Sequence, residues 1–156
     1  MLKVGTPAPD FTATLDDGSE FKLSAQRGKP VVLYFYPKDE TPGCTTQACS
    51  FRDNYGRVQK YGATIYGIST DSVESHEKFR EHHALPFPLI ADPTKEIRKA
   101  YDAETLFGLL TARVTYVVDG EGIVRHAFRS DFRPGSHIDQ IIEALQSLQP
   151  SSAAHV

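Results

Sequence analysis

The sequence predicts a single α/β domain in which helices flank a mixed β-sheet. Strand-like apolar runs alternate along the chain with helical patterns, which is typical of β-α-β units with parallel strands. Two turn motifs, each containing Asp-Gly, stand between strand-like runs and indicate antiparallel hairpins. The 156 residues contain no repeat and no dividing linker. We therefore expect one domain over residues 1–149 and a flexible tail over residues 150–156.

The N-terminal part predicts a β-hairpin followed by a central strand. Residues 11–23, FTATLDDGSEFKL, hold two strand-like runs around Asp17-Gly18, and Asp-Gly is a strong hairpin signal. Residues 29–37, KPVVLYFYP, form a continuous β-branched and aromatic run that ends in proline. A run without polar alternation predicts a strand that is buried on both faces.

The middle of the chain predicts two helices around another strand. Residues 42–61 carry apolar side chains at helical spacing, and Gly62 stands where a helix C-terminus favours glycine. Residues 63–70, ATIYGIST, are strand-like. Ser72 is a suitable N-cap for a helix that continues over residues 75–83.

The C-terminal part predicts a short strand, a short helix, a second hairpin and a last helix. The strand is expected over residues 87–92 and the helix over residues 94–101. Residues 113–118 and 123–128 flank the turn sequence DGEG. Ser136 is expected to cap an amphipathic helix, whose apolar residues are Ile138, Ile141, Ile142, Leu145 and Leu148.

Net charge, hydropathy and the N-terminal sequence argue against several classes of protein, although a local basic patch stays open. The formal net charge is −3, from 17 basic and 20 acidic side chains, which argues against broad binding to nucleic acid or to anionic membranes. No apolar run approaches the roughly 20 residues of a membrane span. The N-terminal sequence MLKVGTPAPDF lacks the features of a signal or transit peptide. A cytoplasmic location is the expectation, and paired cysteines in a reducing cytosol favour redox chemistry or metal binding over a structural disulfide.

Both cysteines lie in the segment YPKDETPGCTTQAC, residues 36–49. Thr41 is expected to be the N-cap of the following helix, Pro42 its first residue and Cys44 its third. The Thr41 oxygen would accept from the Cys44 N–H, and its hydroxyl proton could point at the sulfur. The positive end of the helix dipole favours a thiolate, the reactive form of cysteine. Asp39 and Glu40 would oppose it, so their side chains are expected to point to water while another segment supplies a cation.

Helix geometry keeps the two thiols apart. In an intact helix, Cys49 would lie about 140° around and about 7.5 Å along the axis from Cys44. The Cα atoms would then be roughly 9 Å apart, beyond the limit of about 7 Å for a disulfide. Any bond between them requires the first turns of the helix to unwind, so the pair predicts a redox switch and not a static crosslink.

The same segment resembles a known family. Pro37, Thr41 and Cys44 match the P-x-x-x-T-x-x-C motif of peroxiredoxins, and the run YFYPKDETPGCTTQACSFRD is similar to the bacterioferritin comigratory protein, or peroxiredoxin Q, subfamily. The resemblance covers nearly the whole chain, including VGTPAPDFT, FPLIAD and ARVTYVVDGEGIV. A second cysteine five positions after the motif makes it highly specific.

This resemblance implies a thioredoxin-like fold and the activity of a thioredoxin-dependent, atypical 2-Cys thiol peroxidase in antioxidant defence. Cys44 would be the peroxidatic cysteine, and Cys49 would resolve its sulfenic acid as an intramolecular disulfide. Thr41 would hydrogen-bond the thiolate and the peroxide, Pro37 would shield the nucleophile, and Arg113 would be the missing cation. The substrates would be hydrogen peroxide and alkyl hydroperoxides, with thioredoxin or a similar dithiol as reductant. No metal or organic cofactor is required, and because resolution occurs within one chain we expect a monomer.

Other interpretations of these residues remain open. A disulfide-exchange protein predicts C-x-x-C, whereas the spacing here is C-x-x-x-x-C. A non-enzymatic redox sensor would use the same residues. His82-His83 could suggest metal, but adjacent helical residues point about 100° apart and no other ligand is spaced with them, so a solvated helix end is expected. The apolar segment at residues 105–113, TLFGLLTAR, could cover the site or meet a partner.

Overall fold

The computed structural model describes residues 1–105, 107–130 and 137–148. The strands are β1 (Thr12–Leu15), β2 (Glu20–Lys22), β3 (Val31–Phe35), β4 (Thr64–Ser69), β5 (Leu89–Ala91), β6 (Glu104–Thr105), β7 (Leu110–Thr111), β8 (Val114–Val118) and β9 (Val124–Arg129). The α-helices are α1 (Pro42–Asp53), α2 (Tyr55–Gln59), α3 (Val73–His82), α4 (Glu96–Ala100) and α5 (His137–Ser147). A 3-10 turn, Leu23–Gln26, follows β2.

Seven strands form one mixed sheet in the order β2-β1-β5-β4-β3-β8-β9. Strands β3, β4 and β5 pair in parallel, whereas the two hairpins and the pairings of β1 with β5 and β3 with β8 are antiparallel. All five residues of β3 are buried, as its apolar run predicts. The predicted mixed sheet and both hairpins are confirmed.

The residues of β3 contribute alternately to two apolar layers, because successive side chains of a strand point to opposite faces. Val32 and Tyr34 pack in a cluster with residues of α1, α2, α3 and α5. Val31, Leu33 and Phe35 pack on the other face, in a cluster that includes Tyr101 and Tyr116. The sheet is therefore covered on both sides. The loop at residues 36–41 connects its central strand to α1.

The predicted helix over residues 42–61 is interrupted. Helix α1 ends at Asp53 and α2 begins at Tyr55, with Asn54 between them at φ −114° and ψ 9°. The Asn54 side chain donates to the Ser50 carbonyl at 2.8 Å, and such local bonds compete with the helical backbone pattern. Helix α2 ends at Gln59, before the predicted position, and Gly62 lies in the following turn at φ +76°, with its N–H donating to the Gln59 carbonyl at 2.8 Å.

The other helix signals have mixed outcomes. The Ser72 hydroxyl caps α3 by accepting from the Ser75 N–H at 3.1 Å, as predicted. In α5, Ile138, Ile141, Ile142 and Leu145 are buried, which confirms the amphipathic pattern. The predicted cap Ser136 and the tail at residues 150–156 lie outside the described residues. Among the helices that the structure describes, none is long and apolar enough to cross a membrane.

Candidate active site

Cys44 lies at the carboxyl end of the central strand, in the first turn of α1. The chain leaves β3 at Phe35 and enters α1 at Pro42, after Thr41 in an extended conformation with φ −85° and ψ 151°. Pro42 suits the first helical position because that residue needs no intrahelical N–H bond. Cys44 is only 1% exposed and packs in the apolar layer beside α1. The expected placement of the thiol at the positive end of a helix is confirmed.

The predicted cation, Arg113, contacts the sulfur directly. Arg113 is 6% exposed, and its Nη2 donates to Cys44 Sγ at 3.4 Å. The contact joins residues 69 positions apart because β3 and β8 are antiparallel and pair Phe35 with Val114. The end of β3 and the start of β8 therefore meet at one edge of the sheet. A guanidinium at this distance stabilises negative charge on the sulfur.

Gly43 leaves the space that the guanidinium occupies. A Cβ atom at position 43 would lie 3.2 Å from Arg113 Nη2 and 3.9 Å from its Cζ. The first separation is tighter than an ordinary van der Waals contact, whereas the second is ordinary. The glycine at the second helical position thus permits the arginine to reach the sulfur.

Gln47 is a site residue that the sequence analysis missed. It is fully buried one turn after Cys44, and its Oε1 accepts from Arg113 Nη1 at 2.7 Å. Its Nε2 has no hydrogen-bond partner among the described residues. Because the amide is neutral, it orients Arg113 without cancelling the positive charge. The available signal was its spacing of three residues from Cys44, which places both on one helix face.

Thr41 stands at the predicted N-cap position but does not make the predicted bonds. Its side chain forms no cap bond, and its Oγ1 donates to the Lys38 carbonyl at 2.8 Å. The expectation that the hydroxyl accepts from the Cys44 N–H is therefore wrong. The turn before the helix explains the difference, since Glu40 has φ +61° and the turn brings the Lys38 carbonyl within reach of Thr41.

The prediction that Asp39 points to water is also wrong. Asp39 is 5% exposed, and its carboxylate accepts from the Tyr36 hydroxyl at 2.5 Å and from the Ser75 hydroxyl at 2.8 Å. His76 Nδ1 lies 2.7 Å from the same carboxylate. Burial, and then the Asp39 charge, raise the pKa of Tyr36 well above its usual range, so this hydroxyl remains a donor. These bonds connect the loop before α1 to Ser75 and His76 of α3.

Glu40 has a different environment from Asp39. Its side chain is 46% exposed, and its carboxylate lies against His82 and His83. Partial burial opposes ionisation of Glu40, but hydrogen bonds from the two histidines outweigh it and lower the pKa of this carboxyl. Glu40 is thus directed partly to solvent, as expected, and its carboxylate also contacts the two histidines at the end of α3.

Both thiols are free and lie on one uninterrupted helix. Cys44 is buried and Cys49 is half-buried, and α1 continues past both to Asp53. This arrangement agrees with the expectation that an intact helix holds the pair apart. Pro37 is half-buried just beyond β3, and its shielding role remains a prediction.

The apolar segment before Arg113 forms a small hairpin of β6 and β7. Arg98 holds it, donating to the Glu104 carboxylate and the Thr111 hydroxyl, each at 3.0 Å. Phe107 at the tip is fully exposed, and Leu109 is 74% exposed. A side chain that is fully exposed covers no other described residue, so the structure does not support a covering role for Phe107.

Comparison with known proteins agrees with this geometry. Residues 4–127 match the sequence model of the AhpC/TSA family. A chloroplastic peroxiredoxin Q of Sedum lineare is 47% identical over 146 residues, which are 93% of this chain and 78% of that protein. The crystal structure of the peroxidoxin BcpB of Mycobacterium tuberculosis superposes with a TM-score of 0.89 at 32% identity, over 96% of this chain and 100% of the other.

A second solved structure is of a protein described as having alkyl peroxide reduction activity. It is the bacterioferritin comigratory protein of Xanthomonas campestris, with a TM-score of 0.84 at 32% identity, over 93% of this chain and 98% of the other. The thioredoxin-like fold that the sequence resemblance implies is confirmed by these neighbours.

Proposed function

This chain belongs to the AhpC/TSA family and is a thiol peroxidase of the peroxiredoxin Q type, and on that premise we propose that Cys44 is its peroxidatic cysteine and Cys49 its resolving cysteine. The observation that carries the first assignment is the contact of Arg113 Nη2 with Cys44 Sγ at 3.4 Å in a buried setting. An anionic sulfur is the nucleophile in thiol chemistry, and a fixed cation beside it supports that form.

In the first step, the Cys44 thiolate attacks one oxygen of the peroxide. An S–O bond forms as the O–O bond breaks, so the sulfur is oxidised to sulfenic acid and the peroxide is reduced to water or an alcohol. Negative charge develops on the leaving oxygen until it takes up a proton. Arg113 has a fork of donors that can contact both the sulfur and the peroxide oxygens. Gln47 keeps that fork aligned through its bond at 2.7 Å.

Thr41 and Pro37 complete the proposed site. Thr41 would reach the thiolate or the peroxide only if its hydroxyl turned away from the Lys38 carbonyl, to which it now donates. Pro37 follows the central strand, where its ring would limit access of water to Cys44. Both roles rest on the match of these positions to the family motif.

In the second step, the Cys49 thiol attacks the sulfenic sulfur of Cys44 and releases water, which leaves a disulfide. The buried position of Cys44 and the intact helix prevent this bond, so α1 must unwind around both residues. Resolution stops further oxidation to sulfinic acid, which is hard to reverse. Thioredoxin or a similar dithiol would then reduce the disulfide and restore both thiols.

The wider setting of the reaction is also part of the proposal. The similarity to a protein described as reducing alkyl peroxides supports alkyl hydroperoxides as substrates beside hydrogen peroxide. We infer that the chain acts as a monomer, because both cysteines lie in it, and without nucleic acid or membrane partners. A cytoplasmic location is part of the proposal, whereas the related peroxiredoxin Q proteins are named as chloroplastic.

Intact mass after mixing the reduced protein with one equivalent of hydrogen peroxide tests both assignments. Loss of two hydrogens without dimer formation is expected for the wild-type chain. Cys49→Ser should instead gain one oxygen on Cys44, and Cys44→Ser should leave peroxide unconsumed. Peroxide consumption by Cys44→Ser would refute the nucleophile, and an oxygen adduct that persists in the wild-type chain would refute Cys49 as resolver.

A further inference from the structure

Three side chains with metal-binding atoms meet on the surface beside the active-site loop. They are Glu40, in the loop before α1, and His82 and His83, at the end of α3. One ligand atom from each lies within 4.8 Å of the other two. The sulfur of Cys44 is not a member of this group.

Tertiary packing brings the Glu40 carboxylate to the two histidine rings, and helical spacing within α3 does not predict this contact. His82 Nδ1 lies 2.9 Å from Glu40 Oε2, and His83 Nε2 lies 2.9 Å from Glu40 Oε1. His83 is the residue after the last helical position, with φ −104° and ψ 7°, so helical spacing no longer sets its direction. The two imidazole rings are 4.1 Å apart with planes 35° from parallel. Sequence spacing gave these histidines no third ligand, whereas the fold brings Glu40 to them.

The three ligands are held in place yet accessible to water. The ring of His83 packs edge-on against Phe79 at 5.1 Å, and the His83 carbonyl accepts from Arg52 Nη1 at 2.8 Å. Asp39, which precedes Glu40, is fastened to α3. The side chains of His82, Glu40 and His83 are 65%, 46% and 16% exposed. Water molecules can therefore complete the coordination of an ion on the open side.

We propose that Glu40, His82 and His83 form a binding site for one divalent transition-metal ion of the Zn²⁺ class, completed by water. Imidazole nitrogen suits Zn²⁺, and two histidines with one carboxylate are an established set of protein ligands for that ion. A neutral imidazole carries its proton on either nitrogen, so each ring can present a lone pair to the metal. The carboxylate supplies one negative charge toward neutralising the ion.

A second cluster with similar groups does not share these properties. Asp39, Asp71 and His76 also bring ligand atoms together, but Asp39 and His76 are buried. Their atoms are already committed to bonds with Tyr36, Ser75 and the Ile90 carbonyl. This second cluster is a satisfied structural network, whereas the Glu40 cluster has an open face.

The test is calorimetric titration of Zn²⁺ into the tag-free, full-length chain carrying Cys44→Ser and Cys49→Ser, so that thiols do not compete. The titration is run at about pH 7.5, because metal affinity depends on pH. One equivalent of Zn²⁺ should bind, and adding Glu40→Gln or His82→Gln should each weaken binding at least about tenfold. His126→Gln is the matched control, because His126 lies on β9 outside the cluster. It should bind Zn²⁺ like the parent.

A thermal readout checks that the ion binds the folded protein. Zn²⁺ at about 100 times its dissociation constant should raise the melting midpoint of the parent by about 5–10 °C. This rise should shrink in Glu40→Gln and persist in His126→Gln. The proposal is overturned if the parent shows no stoichiometric binding, or if Glu40→Gln and His82→Gln bind as tightly as the parent. None of these outcomes depends on peroxide, so they do not bear on the proposed peroxidase residues.

Discussion

Replacing Arg113 with Met should slow the oxidation of Cys44 without removing the nucleophile. The guanidinium lies 3.4 Å from the sulfur and is 6% exposed. At that distance and an effective dielectric constant of about 20, the attraction between two unit charges is about 5 kcal/mol. The guanidinium charge is spread over several atoms, so its attraction to the sulfur is weaker than that of a point charge. In the variant, water can also replace part of the lost stabilisation. A loss of about 3–4 kcal/mol is therefore expected, or roughly 10²–10³ in rate.

The assay is quenched flow with thiol alkylation and mass spectrometry, because the chain contains no tryptophan for fluorescence. The rate constant for loss of the Cys44 thiol with hydrogen peroxide would be measured near pH 7 and again near pH 10. Because thiols in general ionise more as the pH rises, a deficit that narrows toward pH 10 reports support of the thiolate, and a deficit that persists reports stabilisation of the transition state.

Arg98→Met is the control for loss of a buried arginine. Arg98 is 3% exposed but contacts the β6–β7 hairpin, and its replacement should lower stability with less than about a threefold change in the rate of the folded protein. If Arg113→Met oxidised within about threefold of wild type at both pH values, the electrostatic role of Arg113 would be refuted.

Three further predictions concern dynamics and packing. Disulfide formation should increase amide hydrogen exchange across residues 42–52 by at least about tenfold, and unchanged protection there would contradict the unwinding of α1. His76→Ala should remove one of the three side-chain partners of buried Asp39, a contact of 2.7 Å, and cost about 1–3 kcal/mol in urea unfolding; a loss below about 0.5 kcal/mol would contradict this coupling. Gly67→Ala would place a Cβ atom 2.7 Å from the Tyr34 ring, so overpacking should cost about 1–3 kcal/mol, and an unchanged denaturation midpoint would contradict it.

Local patterns predicted most of the elements. The apolar run of β3 and the Asp-Gly turns identified a central strand and two hairpins, because burial and turn conformation act on neighbouring residues. The same local reasoning placed Cys44 in the first turn of a helix. It missed the break at Asn54, where a side-chain bond to the Ser50 carbonyl competes with the helix.

The sequence by itself determined the fold class, the order of most elements and the position of the Cys44 thiol, since these depend on spacing and composition, but it did not predict the β6–β7 hairpin. Only the tertiary structure decided what surrounds that thiol. Antiparallel pairing of β3 with β8 brings Arg113 to the sulfur, and α3 binds Asp39 that was expected in water. The same packing joins Glu40 to His82 across 42 residues. Such contacts depend on how whole elements pack. The periodicity of one helix or strand does not predict which distant side chains will contact that element.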